Sequence, residues 1–346
     1  MQFTRHKDIS EIAPSEWNEL ASEGISDTPF AHHEYQSLWW RSRGGGEWSE
    51  TELVLVSASE AGRLIGIAPL FAADHDGRKA LLLLGSIEIS DYLDVLVRAA
   101  DVQRFVNGLL DFLGSVPILK DLPLDLYNVA ETSPTLPAIG AVAESRGWIH
   151  SEEIFRPCPQ IALDGDFEAF LSGLDKKQRH EIRRKVRRAA EGSTPAQFEL
   201  VEDRALLDSG IEEFLELMAH DDDKARFLTT AMRKHMRSFM RVAWEGRYLW
   251  LAFLTIGGVR AAAAFSFDYG NRLWGYNSAV NRDFLALSPG WVLLAHQIQW
   301  ACDHGRTHFD FMRGDEAYKY RFGAVNRHVM RARLSPSGIP APTTSA

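Results

Sequence analysis

The chain has 346 residues, with 38 Lys and Arg against 47 Asp and Glu, for a formal charge of −9. Hydrophobic residues make up 45% and charged residues 25%, which excludes wholesale disorder, and the length predicts two domains. No apolar run approaches the ~20 residues of a membrane helix. The start, MQFTRHKD, lacks the apolar core of a signal peptide, so a cytoplasmic protein is expected. Cys158 and Cys302 are too few for a disulfide framework or a cysteine zinc site. The acidity argues against a generic nucleic-acid binder.

In chain order, 34–43 reads as a short helix ended by Gly44-Gly45-Gly46. Residues 52–57 and 63–72, rich in Val, Ile and Leu around Glu60-Ala61-Gly62, predict a hairpin. Strands follow at 79–84 and 93–97. The spacing of Val102, Phe105, Val106, Leu109, Leu110 and Leu113 predicts a helix over 101–113. A strand at 122–129, a helix at 136–146 and a strand at 160–163 complete the first half.

The second half repeats this rhythm. A basic helix covers 167–191, a strand 198–201, and helices 204–219 and 226–245. A hairpin at 248–269 turns at Gly257-Gly258 and is followed by a strand at 272–279, a helix at 289–304 and a strand at 307–312. The tail 335–346 is rich in Pro, Ser and Thr and reads as disordered. The segments 53–70 and 249–265 share one pattern of apolar strand, Gly turn, basic residue and second apolar strand, which hints at an internal repeat.

Three segments concentrate chemistry. Residues 175–188 hold eight Lys and Arg against Asp175 and Glu181, a net +6 that leaves −15 on the remaining chain. Arg179, Arg183 and Arg187 recur every four residues and stack on one helix face. Such a row reads either as a site for phosphate or carboxylate, or as a solvated face balanced by the acidic remainder. Next, Ser288-Pro289-Gly290-Trp291 opens a helix: Ser suits an N-cap, Pro a first turn, and Gly a close approach. The free N–H groups there suit a phosphate or pantetheine chain. Last, Phe309 and Phe311 alternate with Asp310, and Arg313, Asp315, Glu316, Tyr318, Lys319 and Arg321 crowd the connection that follows. His32, His33, His296, His304 and His308 lack metal-site spacing, so no metal is expected. A phosphate-binding P-loop, a dinucleotide fingerprint and a serine-hydrolase elbow are all absent.

The hairpin LAFLTIGGVRAAAAFSFDYG, the strand RLWGYNSAV, the Ser-Pro-Gly helix start and the terminal FDFMRGDEAYKYRFG together resemble the CelD/BioF-type acetyltransferase family. That family lies in the GNAT superfamily and is related to the FemABX peptidyltransferases. The basic KKQRHEIRRKVRRAAEG and the early TPFAHHEYQSLWW are also similar to it, and the resemblance covers about residues 25–325. It implies an α/β (α+β) fold of two tandem GNAT-like modules, each a mixed sheet flanked by helices. Their expected bounds are 1–165 and 166–334, with the linker helix 167–191 in the second. One departure stands out: LALSPGWVL occupies the place of the superfamily's Arg/Gln-x-x-Gly-x-Gly/Ala loop.

The implied activity is N-acyl transfer to an amine of a sugar, a cell-envelope precursor or a small molecule, with acetyl from acyl-CoA as co-substrate and no covalent cofactor. An aminoacyl-tRNA donor, as in FemABX relatives, stays open, as does a non-catalytic module for an anionic glycan, lipid or RNA. In the transfer reading Asp315 or Asp310 takes the amine proton, Tyr318 donates to the leaving group, and Lys319 orients an anionic substrate or holds the oxyanion. Ser288, Pro289, Gly290 and Trp291 bind the donor, the latter two through backbone N–H groups. Tyr276 and Asn277 line the acceptor cleft, and Arg179, Arg183 and Arg187 bind an anionic acceptor. The sequence leaves the oligomeric state open.

Overall fold

A computed structural model describes residues 1–336. The chain forms two compact units, one from Met1–Pro157 together with residues 328–336, the other from Cys158–Arg327. Residues 337–346, most of the expected disordered tail, lie outside the described residues, and Ser335 closes a strand.

In the first unit the strands Gln2–His6, Thr51–Glu60, Arg63–His75, Arg78–Leu83, Leu124–Ala130 and Val325–Ser335 lie in that spatial order. The first four pair antiparallel in succession. Arg78–Leu83 then pairs parallel with Leu124–Ala130 through Leu81 and Leu124, and Val325–Ser335 returns antiparallel on the far side. A parallel pair needs a crossover, and the helix Val102–Ser115 supplies it. Its predicted stripe from Val102 to Leu113 is buried.

The second unit repeats the scheme. Ala196–Leu200, Leu249–Ile256, Val259–Tyr269 and Arg272–Val280 pair antiparallel in succession. Arg272–Trp274 pairs parallel with His308–Asp310, which pairs antiparallel with Gln160–Ala162. Here the crossover is the helix Pro289–Asp303. The two hairpins suspected from sequence thus occupy equivalent places in two modules of one topology, each a mixed sheet flanked by helices. Both turn through two consecutive positive φ angles, at Ala61 (52°) and Gly62 (78°) and at Gly257 (62°) and Gly258 (79°). That geometry matches strand twist in a two-residue hairpin and explains the glycines.

Four local differences stand out. The sequence reading keeps 166–334 in one module, but the strand Val325–Ser335 joins the first unit, where Val329 faces Ala130 and Leu334 faces Leu124. The basic helix is two helices, Phe167–Gly173 and Lys176–Glu191, because the Asp175 carboxylate accepts from Gln178 N–H at 3.0 Å and starts a second one. The strand expected at 160–163 runs over Ile149–Ala162, through two prolines. Of the strand expected at 93–97, only Leu96–Val97 forms, paired with Gly66 and Ile67. Among the described residues no helix is long and apolar enough to cross a membrane.

Candidate functional site

The parallel pairing in the second unit ends at Trp274 and Asp310, while Arg272–Val280 continues to Val280. At that point a β-bulge places Phe265 opposite Asn277 but Ser266 opposite Gly275, leaving Tyr276 as the extra residue. A bulge bends its strand and re-aims side chains. The strands part, and a cleft of about 600 Å³ opens between them. Its walls are the strand from Gly275 to Val280, the helix start from Ser288 to Trp291, and Phe309, Phe311, Arg313, Glu316, Tyr318 and Lys319.

The helix start differs from its expected chemistry. Pro289 does occupy the first turn, but Ser288 is left-handed (φ 56°) and makes no side-chain cap. Trp291 N–H donates to Ser288 C=O at 3.0 Å, so it is engaged within the helix and does not face a donor. A Cβ on Gly290 would lie 3.1 Å from Val280 Cγ2, so this glycine lets the helix start close against the strand. Trp291 packs on buried Phe322 with ring centroids 4.9 Å apart.

Beyond the strand His308–Asp310 the expected acid residues separate into different roles. Phe309 and Phe311 face the cleft, and Asp310 does not: it is 0% exposed, accepting from Gln160 Nε2 and Met312 N–H, each at 2.7 Å. Asp315 also lies off the cleft, where it accepts from the Tyr320 hydroxyl. Glu316 is the carboxylate among the cleft's lining residues. Lys319 is 3% exposed, and its ammonium donates to the carbonyls of Phe311 (3.4 Å), Arg313 (3.1 Å) and Gly314 (3.2 Å) while pairing with Glu316 at 2.9 Å. It therefore holds the loop that presents Arg313, Glu316 and Tyr318. Burial, reinforced by the Glu316 charge, holds the Tyr318 phenol well above its ordinary pKa.

Tyr276 and Asn277 line the cleft as expected. The Tyr276 ring rests on Phe265 and Phe267, with centroids 5.1 and 5.3 Å away. Asn277 Oδ1 accepts from Lys224 Nζ at 3.0 Å, and Lys224 also donates to Ser278 C=O. Burial lowers the Lys224 pKa, with the Asp221 and Glu316 charges opposing the shift. Sequence reasoning missed Lys224, because Asp221-Asp222-Asp223-Lys224 reads as a solvated charged run. The arginine row is displaced from the site. Arg179 donates to Ser172 C=O at 3.2 Å, Arg183 pairs with Glu168, and Arg187 is exposed. Lys185 is the residue of the basic helix that reaches the cleft, with Nζ 4.0 Å over the Trp291 ring.

The equivalent place in the first unit is filled. Between Arg78–Leu83 and Leu124–Ala130 the chain 84–97 folds inward, with Ser86, Ile89, Ser90 and Leu93 buried. Asn128, left-handed at φ 62°, donates from Nδ2 to Ile87 C=O and Ser90 C=O, both at 2.9 Å. Its own carbonyl accepts from Leu93 N–H at 2.8 Å. A cavity of about 10 Å³ remains beside Tyr92, Leu93 and Asp94. Elsewhere in this unit His75, Asp76 and Asp125 bring ligand-type atoms within 4.8 Å of one another, and the Arg331 guanidinium already pairs with both carboxylates.

Residues 176–320 match the family model of the acetyltransferase (GNAT) domain. No curated protein matches the sequence. Among solved structures, FemX is 12% identical, with 96% of this chain and 97% of that chain covered at a TM-score of 0.65. A Bacteroides thetaiotaomicron protein of unknown function is 10% identical, with 96% and 100% covered and a TM-score of 0.61. The C-terminal domain of an Agrobacterium fabrum protein assigned as a lysylphosphatidylglycerol synthetase is 12% identical, with 94% and 93% covered and a TM-score of 0.57. At these identities the likeness is one of fold.

Proposed function

We propose that this chain, whose residues 176–320 match the acetyltransferase (GNAT) domain and whose fold is that of FemX, is an N-acyltransferase, its second unit working in the cleft between the parted strands. The observation that carries this reading is the parting itself. Beyond Trp274 the parallel pairing with His308–Asp310 ends, and the strand from Gly275 to Val280 becomes a wall of the cleft along which a donor's amide chain would run. The entering helix Pro289–Asp303 directs its positive end to the same place.

The donor is a thioester such as acetyl-CoA, seated along Tyr276–Val280 with its carbonyl toward Tyr318. A neutral amine attacks that carbonyl; the C–N bond forms and the C–S bond breaks. Glu316 takes the amine proton, directly or through water, in place of Asp310 and Asp315, which do not line the cleft. The Tyr318 phenol, protonated at neutral pH, gives its proton to the leaving thiolate. Lys185, Lys224 and Arg313 line the cleft and favour an acceptor that carries negative charge. Lys319 is assigned a positioning role.

Thiol release from acetyl-CoA, followed with a panel of amino sugars and small amines, tests the reading. Turnover in the wild type that falls about 10²-fold or more in Tyr318→Phe supports it. Acceptor and CoA binding without any turnover would overturn it in favour of a binding module. Transfer from an aminoacyl-tRNA and not from acetyl-CoA would overturn the choice of donor.

A further inference from the structure

The cleft contains an amine of the protein itself. We propose that Lys224 is a self-acylation site, its Nζ taking the acyl group from a donor seated along the strand Arg272–Val280 when no other amine is bound. The proposal rests on the acyltransferase reading and adds a modification of that same site. Lys224 lies on the short helix Asp222–Phe227. The helix start is fixed by Asp221, whose carboxylate accepts from the N–H groups of Asp223 (3.1 Å) and Lys224 (3.2 Å) and pairs with Arg282 at 3.3 Å. From there Nζ reaches the cleft wall, where it donates to Asn277 Oδ1 at 3.0 Å and to Ser278 C=O. These two residues belong to the stretch Tyr276–Val280 assigned to the donor, so the amine and the reacting carbonyl share one wall.

The contacts suit a nucleophile. Both acceptors are neutral oxygens, and no carboxylate pairs with Nζ among the described residues. An ammonium has three donors and would leave one unused here. A neutral amine has two, which Asn277 and Ser278 satisfy, and its lone pair is left free. Burial favours that neutral form, with the Asp221 and Glu316 charges opposing it. A lysine desolvated in this way is an activated nucleophile. In the step, the Nζ lone pair attacks the thioester carbonyl; the C–N bond forms and the C–S bond breaks. Glu316, whose charge is felt at Lys224, takes the amine proton, and Tyr318 protonates the thiolate. The proton on Glu316 then restores the Tyr318 phenol, so the products are an amide and a free thiol. An amide is a weaker acyl donor than a thioester, so the acyl group stays and the cleft loses one of its cations.

Incubation of the full-length protein with acetyl-CoA and no acceptor, followed by intact-mass measurement and peptide mapping, tests the proposal. One acetyl group per chain is expected, at Lys224, formed at least tenfold faster than at the exposed Lys7, Lys120 and Lys234. Tyr318→Phe should slow labelling of Lys224 at least tenfold and leave labelling of the three exposed lysines within twofold of wild type, which separates cleft chemistry from spontaneous acetylation. Lys224→Arg keeps a positive charge but has no amine to acylate, and its intact mass should stay unchanged over the same time. The inference is overturned if the exposed lysines label as fast as Lys224, if Tyr318→Phe labels at the wild-type rate, or if Lys224→Arg takes up as much acetyl as wild type. It is overturned alone, with the acyltransferase reading intact, if amines of the acceptor panel turn over while Lys224 stays unlabelled in their absence. Neither label nor turnover with acetyl-CoA would overturn both the self-acylation and the choice of donor on which it rests.

Discussion

Lys319 shows how one side chain can shape a site without reacting in it. Its ammonium is surrounded by three carbonyls and a carboxylate, and it is 3% exposed. Gly314, at φ +128°, keeps room for it, since a Cβ there would lie 2.8 Å from Nζ. Replacing Lys319 by Met removes the charge and leaves the carbonyls of Phe311, Arg313 and Gly314 without their donor. Breaking a buried, hydrogen-bonded charge costs about 2–4 kcal/mol. Lys319→Met should lower thermal stability accordingly and release the loop carrying Glu316 and Tyr318. Denaturant unfolding measures the first effect, and faster amide exchange over 311–318 measures the second. Unchanged exchange there would show that Lys319 does not hold the loop. The sequence shows that titratable groups crowd 309–321, because they are contiguous. It cannot show that Asp310 turns into the core toward Gln160, 150 residues earlier. Nor does it show Lys224, whose importance arises only because Asn277 lies across from it.

At the scale of elements, the local signals are the legible ones. Both hairpins, the helix Val102–Ser115 and the Pro-Gly opening of Pro289–Asp303 follow from neighbouring residues, through turn geometry and spacing. The strand Val325–Ser335 was hidden by its own composition. VNRHVMRARLS looks solvent-facing, yet Arg331 and Arg333 are nine-tenths buried. Arg331 donates to Asp125 at 2.8 and 2.7 Å and to Asp76 at 2.6 Å, and Arg333 donates to Glu153 at 3.0 Å. These partners lie about two hundred residues away in sequence, out of reach of any local pattern. The break in the basic helix is more tractable. Asp175→Ala removes the carboxylate that accepts from Gln178 N–H. Its cost should be about 1 kcal/mol, with the first turn of Lys176–Glu191 fraying. Amide exchange confined to 176–179 would bear this out, and no change there would place the helix start under tertiary control. In the first unit, Asn128→Ala should be costlier. It deprives two buried carbonyls of their donor and puts alanine at φ 62°. The segment 84–97 should then become a preferred site of proteolysis.

The two units repeat one topology, but one deeply buried group in each, Asp94 and His235, pulls stability in opposite directions in acid. In the first unit, Asp94 accepts from Ser133 and from Thr135 Oγ1 (2.7 Å), yet burial raises its pKa to about 6. A carboxyl with a raised folded pKa binds its proton more tightly in the folded state. Stability therefore rises as pH falls from about 6 to the unfolded value near 4, by about 3 kcal/mol at ~1.4 kcal/mol per unit. In the second unit, His235 is 1% exposed, and burial lowers its pKa to about 4. The unfolded chain then binds the extra proton, so stability present above pH ~6.5 is lost as pH falls toward 4, again by about 3 kcal/mol. Global unfolding sums these two with His32, His296 and His308, whose pKa values burial also lowers, so stability should fall as pH drops from 6.5 to 4.5, above the range where the arginine-paired carboxylates protonate. Amide exchange corrected for intrinsic rates separates them. Protection should increase in Leu124–Ala130 and Thr135–Arg146, which flank the Asp94 partners, and decrease in Thr230–Glu245, which carries His235. Asp94→Asn should abolish the first change and leave the second, and His235→Leu the reverse. If both units lost protection together, these two burial effects would not govern acid stability.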